Sequence, residues 1–265
     1  MKIQILSDLH NEFLRKPATC KTHNWAGEIP LTDADLIILA GDIDVGLKGV
    51  EWAISESERL GKDILYIAGN HEFYGYEYSS LKHKLRKHCE GTRVYFLDCD
   101  SYTTQDVRFL GLTLWTDYRG DIKIPQDLAM HIINRALADH RAISTKTNGK
   151  TDLFKPVDAL NLHINELAWL TEQLNLPFEG KTVIVTHHGP HPVCQHPAFP
   201  LSDISAAFHS DLGWVIEEND IAMWVYGHTH ANLDTEISAT RIISNQAGYP
   251  GEGLADFKPD KVYIV

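Results

Sequence analysis

Five short apolar runs, each ending in metal-type or turn-forming polar residues, constrain this chain more than any other feature. They are Lys2–Ser7, Leu36–Ala40, Ile64–Ala68, Thr182–Thr186 and Ala222–Tyr226. Each is too short for a core helix and almost continuously apolar, the pattern of a strand buried on both faces. The residues that follow are Asp8-Leu9-His10, Gly41-Asp42, Gly69-Asn70-His71-Glu72, His187-His188 and Gly227-His228-Thr229-His230. Open α/β sheets gather their ligand sites at the carboxyl ends of strands. Helical periodicity separates the runs, over Val50–Leu60, Leu128–Leu137 and Leu160–Leu174, and Asp203–Glu218 reads as a further helix. The β-branched and aromatic stretches Val94–Leu97 and Val107–Trp115 read as adjacent strands, and 233–244 with 262–265 looks similar. Residues 144–156 read as a polar loop and 189–200, with four prolines, as a stiff one. Both loops are expected to shape substrate choice.

Composition sets the outer bounds. The 265 residues carry 24 Lys+Arg against 36 Asp+Glu, a formal net charge of −12, with 43% hydrophobic residues. That is a globular balance; the length suits one large domain or two small ones, and a single domain spanning 1–265 is expected. The acidic excess disfavours a stable nucleic-acid complex, because phosphate backbones require cationic faces. No apolar run approaches the ~20 residues of a membrane helix. Met1–His10 lacks the parts of a signal peptide, so a cytoplasmic location is expected. The dispersed Cys20, Cys89, Cys99 and Cys194 read as reduced thiols.

Taken singly, each strand end has an ordinary reading. Asp8-Leu9-His10 is a turn, Gly41-Asp42 a helix cap, Asn70 a turn residue, and His187-His188 a packing pair. Taken together they supply about seven nitrogen and oxygen donors and no thiolate, a set suited to Zn, Mn or Fe. Seven donors exceed one tetrahedral ion and suit two ions bridged by a carboxylate. The i, i+2 pairs Asp8/His10 and His228/His230 are expected to share one side of an extended segment.

The order D-x-H, G-D, G-N-H-E, H-H, G-H-x-H resembles the calcineurin-like metallophosphoesterase superfamily from Asp8 to His230. Residues 240–251 resemble the end of a small bacterial subgroup. The resemblance implies a four-layer α/β/β/α sandwich with two central mixed sheets. It implies two metals, Mn²⁺, Fe²⁺/Fe³⁺ or Zn²⁺. Asp8, His10, Asp42 and His230 would hold one; Asp42, Asn70, His187 and His228 would hold the other. His71 would stand beside the phosphate as general acid, with Asn70 also contacting substrate. Asp44 departs from the usual pattern and is not expected to be a ligand. The implied reaction is hydrolysis of a small phosphodiester or phosphomonoester, such as a nucleotide, by metal-activated water. Nuclease, protein phosphatase and a partner-binding scaffold with a degenerate site are the competing readings; oligomeric state is left open. About 35 residues follow His230, too few for the added DNA-contacting domains of repair nucleases.

Other residues carry weaker signals. His191, in the stiff loop, and Tyr118, ending a β-rich segment, are candidate substrate contacts. Trp115 reads as core, Arg119 as a solvated cation, His188 as structural and Glu72 as a support for the ligands. His83, His88, His131, His140, His163 and His209 fall in helical patterns and read as surface or packing residues.

Overall fold

The computed structural model describes residues 1–15, 25–120, 123–147 and 149–265, so Cys20 lies outside the described residues. The first half contains β1 (Lys2–Leu6), α1 (Asn11–Leu14), β2 (Leu36–Ala40), α2 (Lys48–Leu60), β3 (Asp63–Ile67), α3 (Tyr78–Cys89) and β4 (Val94–Phe96). Then come β5 (Asp100–Thr104), β6 (Val107–Gly111), α4 (Gln126–Ala136), α5 (Asp139–Ala142), β7 (Ser144–Thr147), β8 (Lys150–Leu153) and α6 (Pro156–Asn175). The last part holds β9 (Lys181–Val185), α7 (Gly213–Glu218), β10 (Met223–Val225), β11 (Leu233–Ile237), β12 (Thr240–Ser244) and β13 (Val262–Ile264).

Two mixed sheets form, ordered β13-β1-β2-β3-β4 and β11-β12-β10-β9-β6-β5. Strand alternation divides their side chains among three cores. Ile3, Ile5, Leu36, Ile38, Leu65 and Ile67 meet Val107, Phe109, Val183, Val185, Met223 and Val225 between the sheets. Leu6, Ile37, Leu39, Ile64 and Tyr66 face the opposite way, against Val50 and Ala53 of α2 and Leu81 and Leu85 of α3. Leu110, Ile184, Trp224 and Ile242 cover the outer face of the second sheet against Leu170 of α6 and Val215 and Ile216 of α7. Helix, sheet, sheet, helix is thus the layer order. Both strand faces are buried, which is why the central runs read as continuously apolar.

Several sequence expectations change. Val94–Leu97 and Val107–Trp115 are not neighbours: β4 pairs with β3 in the first sheet, whereas β6 pairs with β5 and β9 in the second. Likewise β13 joins β1, away from the β11–β12 hairpin. Apolar content marks strands but does not assign their sheet. Asp203–Glu218 is not one helix: a single turn at Ser205–Ala207 and α7 are separated by irregular backbone. Residues 144–153 form the hairpin β7–β8, not a loop, and α6 starts at Pro156. Among the described residues no helix is long and apolar enough to cross a membrane.

β1, β2 and β3 run parallel, as do β9 and β10, so their carboxyl ends lie along common edges. Hydrogen bonds tie the two edges together. His187 Nδ1 donates to Ala40 O at 3.0 Å and Thr113 Oγ1 to Ala68 O at 2.9 Å. Ser7 N donates to Asn245 O at 3.1 Å and Ala247 N to Ser7 O at 3.1 Å.

Candidate metal centre

The local backbone at the strand ends is unusual. Asp8, His10, Asp42, His228 and His230 all have left-handed φ, between 47° and 69°. Side chains with a Cβ avoid this region, and such strain persists only where surroundings enforce it. The i, i+2 pairs therefore do not share an extended segment. Each residue is turned inward individually by its own left-handed step. Glu72 is one enforcing group: its buried carboxylate accepts from Asp42 N (3.1 Å), Ile43 N (2.9 Å), Gly69 N (2.7 Å) and Tyr66 OH (2.8 Å). The glycines serve approach as well as conformation. A Cβ on Gly69 would strike the Asp42 carboxylate and the His187 ring, and one on Gly227 would lie 2.6 Å from Asp8 Oδ2.

All seven expected ligands converge. Asp8, His10 and His230 form one triad and Asp42, His187 and His228 another, while Asp42 also groups with His10 and His71. His230 Nε2 lies 3.5 Å from Asp8 Oδ1 and 3.2 Å from His10 Nε2. Asp42 Oδ1 lies 3.4 Å from His187 Nε2, and its Oδ2 lies 3.9 Å from His10 Nε2 and 4.0 Å from His71 Nε2. Asn70 Oδ1 lies 3.0 Å from His187 Nε2. Asp42 is thus between the two triads.

The hydrogen bonds define which ring nitrogens are free. His187 Nδ1 donates to Ala40 O, so its Nε2 carries a lone pair. Asn70 Nδ2 donates to Asp139 Oδ1 (2.8 Å) and Tyr74 OH (3.1 Å), which turns its Oδ1 toward that lone pair. Glu12 Oε1 holds Nδ1 of both His10 (3.1 Å) and His71 (3.0 Å), and Glu252 Oε2 holds His230 Nδ1 (2.7 Å). His228 Nε2 is buried without a partner. Acceptors that face one another, and a buried orphan nitrogen, are what a cation would satisfy. The donor set is imidazole, carboxylate and amide oxygen, so these residues fit Mn, Fe or Zn.

The charges agree. Burial drives Asp42 well above the carboxylate range, reinforced by Glu72 and Asp8. Burial would raise Asp8 too, but the His230 hydrogen bond and neighbouring imidazoles hold it at about 2. Burial opposes a charge on His230, yet Asp8 and Glu252 outweigh it and raise the ring to about 9. Burial lowers His10 to about 4, with Glu12 opposing. Burial lowers His187 and His228 as well, so their rings are neutral donors.

Other residues sort by contact. Asp44 receives Arg15 and Val45 N, outside the cluster. His188 packs against Trp115 and His228, a structural position as expected. Tyr118 is a correction: it is buried in the hydrophobic core and does not line the cavity beside the cluster. His191 is another, since it caps a short turn through Val193 N and does not line the cavity beside the cluster. His140, His163 and His209 are buried, and His209 lies outside any helix. Glu12, Tyr74, Asp139, Tyr249 and Glu252 were missed by sequence reasoning. Only Glu12, two residues beyond His10, offered a local signal.

A cavity of about 570 Å³ opens beside the cluster, walled by Asp42, Asn70, His228 and His230 on one side. Gln195, His196, Phe199 and Pro200 of the stiff loop contribute another wall. The 144–153 hairpin does not; Leu137–Asp139 stands there instead.

A four-layer sandwich with an Asp/His/Asn cluster at the joined strand edges defines a class, that of α/β/β/α proteins built around metal-ligand donors. Within it, the calcineurin-like phosphoesterase pattern matches residues 1–232, and the chain belongs to that family. An uncharacterized protein of Acanthamoeba polyphaga mimivirus is 25% identical over 266 residues, covering 94% of this chain and 92% of that one. The crystal structure of phosphopantetheinyl hydrolase from Mycobacterium tuberculosis matches with a TM-score of 0.73 at 19% identity, covering 100% of this chain and 95% of that one. That likeness is one of fold.

Proposed function

We propose that this protein is a dinuclear metal-dependent phosphoesterase acting on a small phosphoester, with diesters preferred over monoesters. The observation that carries the reading is Asp42, a buried carboxylate shared between two donor groups. Asp8, His10, Asp42 and His230 would hold one ion, and Asp42, Asn70, His187 and His228 the other. Bound Mn²⁺, Fe²⁺/Fe³⁺ or Zn²⁺ supplies Lewis acidity, which lowers the pKa of water and neutralises phosphoryl charge.

The protein's own groups have separate tasks. Glu12 keeps the Nδ1 protons of His10 and His71 on its side, so both Nε2 atoms face the cluster. Asp139 fixes the amide orientation of Asn70. His71 Nε2, free of the expected ligand set, is placed to give a proton to the leaving oxygen. Tyr249 OH lies 2.9 Å from that nitrogen; its oxygen would accept from Nε2–H before the transfer, and its O–H would donate to the lone pair left afterwards until water restores the proton.

The test is metal content and rate together. Protein stripped of metal and reloaded with Mn²⁺ should hold close to two ions and cleave bis(p-nitrophenyl) phosphate faster than p-nitrophenyl phosphate. Asp42→Ala should lose both ions. One ion at saturating Mn²⁺, or full content in Asp42→Ala, would contradict the shared carboxylate.

A further inference from the structure

The cavity beside the cluster differs in chemistry from the cluster itself. Leu137, Phe199, Pro200, Ile204, Phe208 and Tyr249 supply apolar or aromatic wall. Phe199 is 64% exposed and contributes its ring to this wall. Among the described residues no Lys or Arg lines the cavity. Its acidic members beyond Asp42, Asp139 and Glu252, are already engaged with Asn70, Tyr74 and His230. A second anionic group on the substrate would therefore meet carboxylates and no Lys or Arg. Each of these two carboxylates already holds two donors, so an ammonium group would have to share them. At about 570 Å³ the space is that of a small-molecule site.

We infer that the substrate's ester arm is uncharged and largely apolar, seated on the wall formed by Leu137, Phe199, Ile204 and Phe208. This rests on the phosphoesterase reading and narrows it: nucleoside polyphosphates and nucleic acid carry further phosphates that this cavity does not serve. The arm's apolar surface leaves water against these side chains, so affinity grows with arm length.

The experiment measures binding by calorimetry to the full chain loaded with Mn²⁺. The probes are phosphonates with methyl, n-hexyl, 5-carboxypentyl and 6-aminohexyl tails, whose C–P bond is not hydrolysed. Hexyl should bind at least about tenfold tighter than methyl, given five added methylenes. Both charged tails should bind at least about tenfold weaker than hexyl, because an unpaired charge is costly to desolvate. Phe199→Ser, at an exposed position, should shrink the hexyl-to-methyl ratio. Phe199→Lys should move the carboxypentyl-to-hexyl ratio toward the charged tail. Equal affinities for all four tails, or a charged tail binding best, would overturn the inference. With methylphosphonate bound and bis(p-nitrophenyl) phosphate cleaved, that outcome leaves the phosphoesterase reading standing. Absence of both binding and cleavage would overturn the two readings together.

Discussion

His71 and Glu12 divide the work at the residue scale. If His71 protonates the leaving oxygen, His71→Ala should lower kcat by roughly 10²- to 10⁴-fold, the usual worth of acid–base catalysis. The loss should be larger for alkoxide leaving groups than for p-nitrophenolate, which needs little protonation. An equal loss across leaving groups would make His71 a phosphate-binding residue only. Glu12→Gln removes the negative charge from the acceptor shared by His10 and His71 Nδ1 and leaves only an amide oxygen there. Outer supports of this kind are worth roughly 10- to 100-fold in metal affinity or activity. Mn²⁺ titration of Glu12→Gln should show weaker binding with the fold intact, and unchanged affinity would exclude this role. His71 follows Asn70 in the chain, so it was legible; the hydroxyl opposite it comes from Tyr249, 178 residues away. No local pattern encodes that meeting.

Elements show where residue types mislead. Polar composition hid β7 and β8: Lys150–Leu153 is exposed throughout, so no apolar alternation marks the strand. Helix α6 carries a second buried carboxylate far from the metal cluster. Glu166 Oε2 accepts from Trp115 N at 3.0 Å, while Oε1 has no partner. Burial raises this group from 4.5 to about 8, with Lys82 opposing and Asp98 adding. An acid with a raised folded pKa holds its proton in the native state while the unfolded chain has lost it. Its contribution to stability therefore falls as pH rises from 4.5 to about 8, then levels. Glu166→Gln keeps the acceptor and cannot ionise. In chemical denaturation the variant should gain at least about 1 kcal/mol over the parent between pH 5 and pH 8. Parallel pH profiles for the two proteins would refute the buried ionisation.

At the scale of the whole molecule, the cluster sits where two sheets meet, so its occupancy should report on the joint. Asp8 and Asp42 follow the first sheet, His187 and His228 the second. A ligand bound only by the native state stabilises it by about 2.7 kcal/mol at one hundred times its Kd. For a chain of this size each kcal/mol moves Tm by roughly 2–4 °C. Mn²⁺ should raise Tm by several degrees over chelator-treated protein, and Asp42→Ala should lose that increment. The same Tm with and without Mn²⁺ in the parent would mean that the sheets do not depend on the cluster's contents.

The strand runs, the mixed α/β class and the seven donor residues were readable in the chain, because donor chemistry and burial on both strand faces leave local signatures. Asp8, His10, Asp42, Asn70, His187, His228 and His230 stand at strand ends in the order that the resemblance required. Which sheet each strand joins was not readable, since Val94–Phe96 and Val107–Gly111 have similar composition and lie in different sheets. Nor were the left-handed turns at five of those seven residues, where Glu72 holds the backbone of Asp42 and Ile43, and Asp8 N and His10 N donate to Gly41 O and Asp42 O across the strand ends. Tyr118 went into the core and His191 out of the cavity because packing, not residue type, decides exposure. The tertiary structure alone brought Asp139 to Asn70 and Glu252 to His230, across 69 and 22 residues. Contacts of that separation depend on how the layers close, and no local stretch of sequence contains both partners.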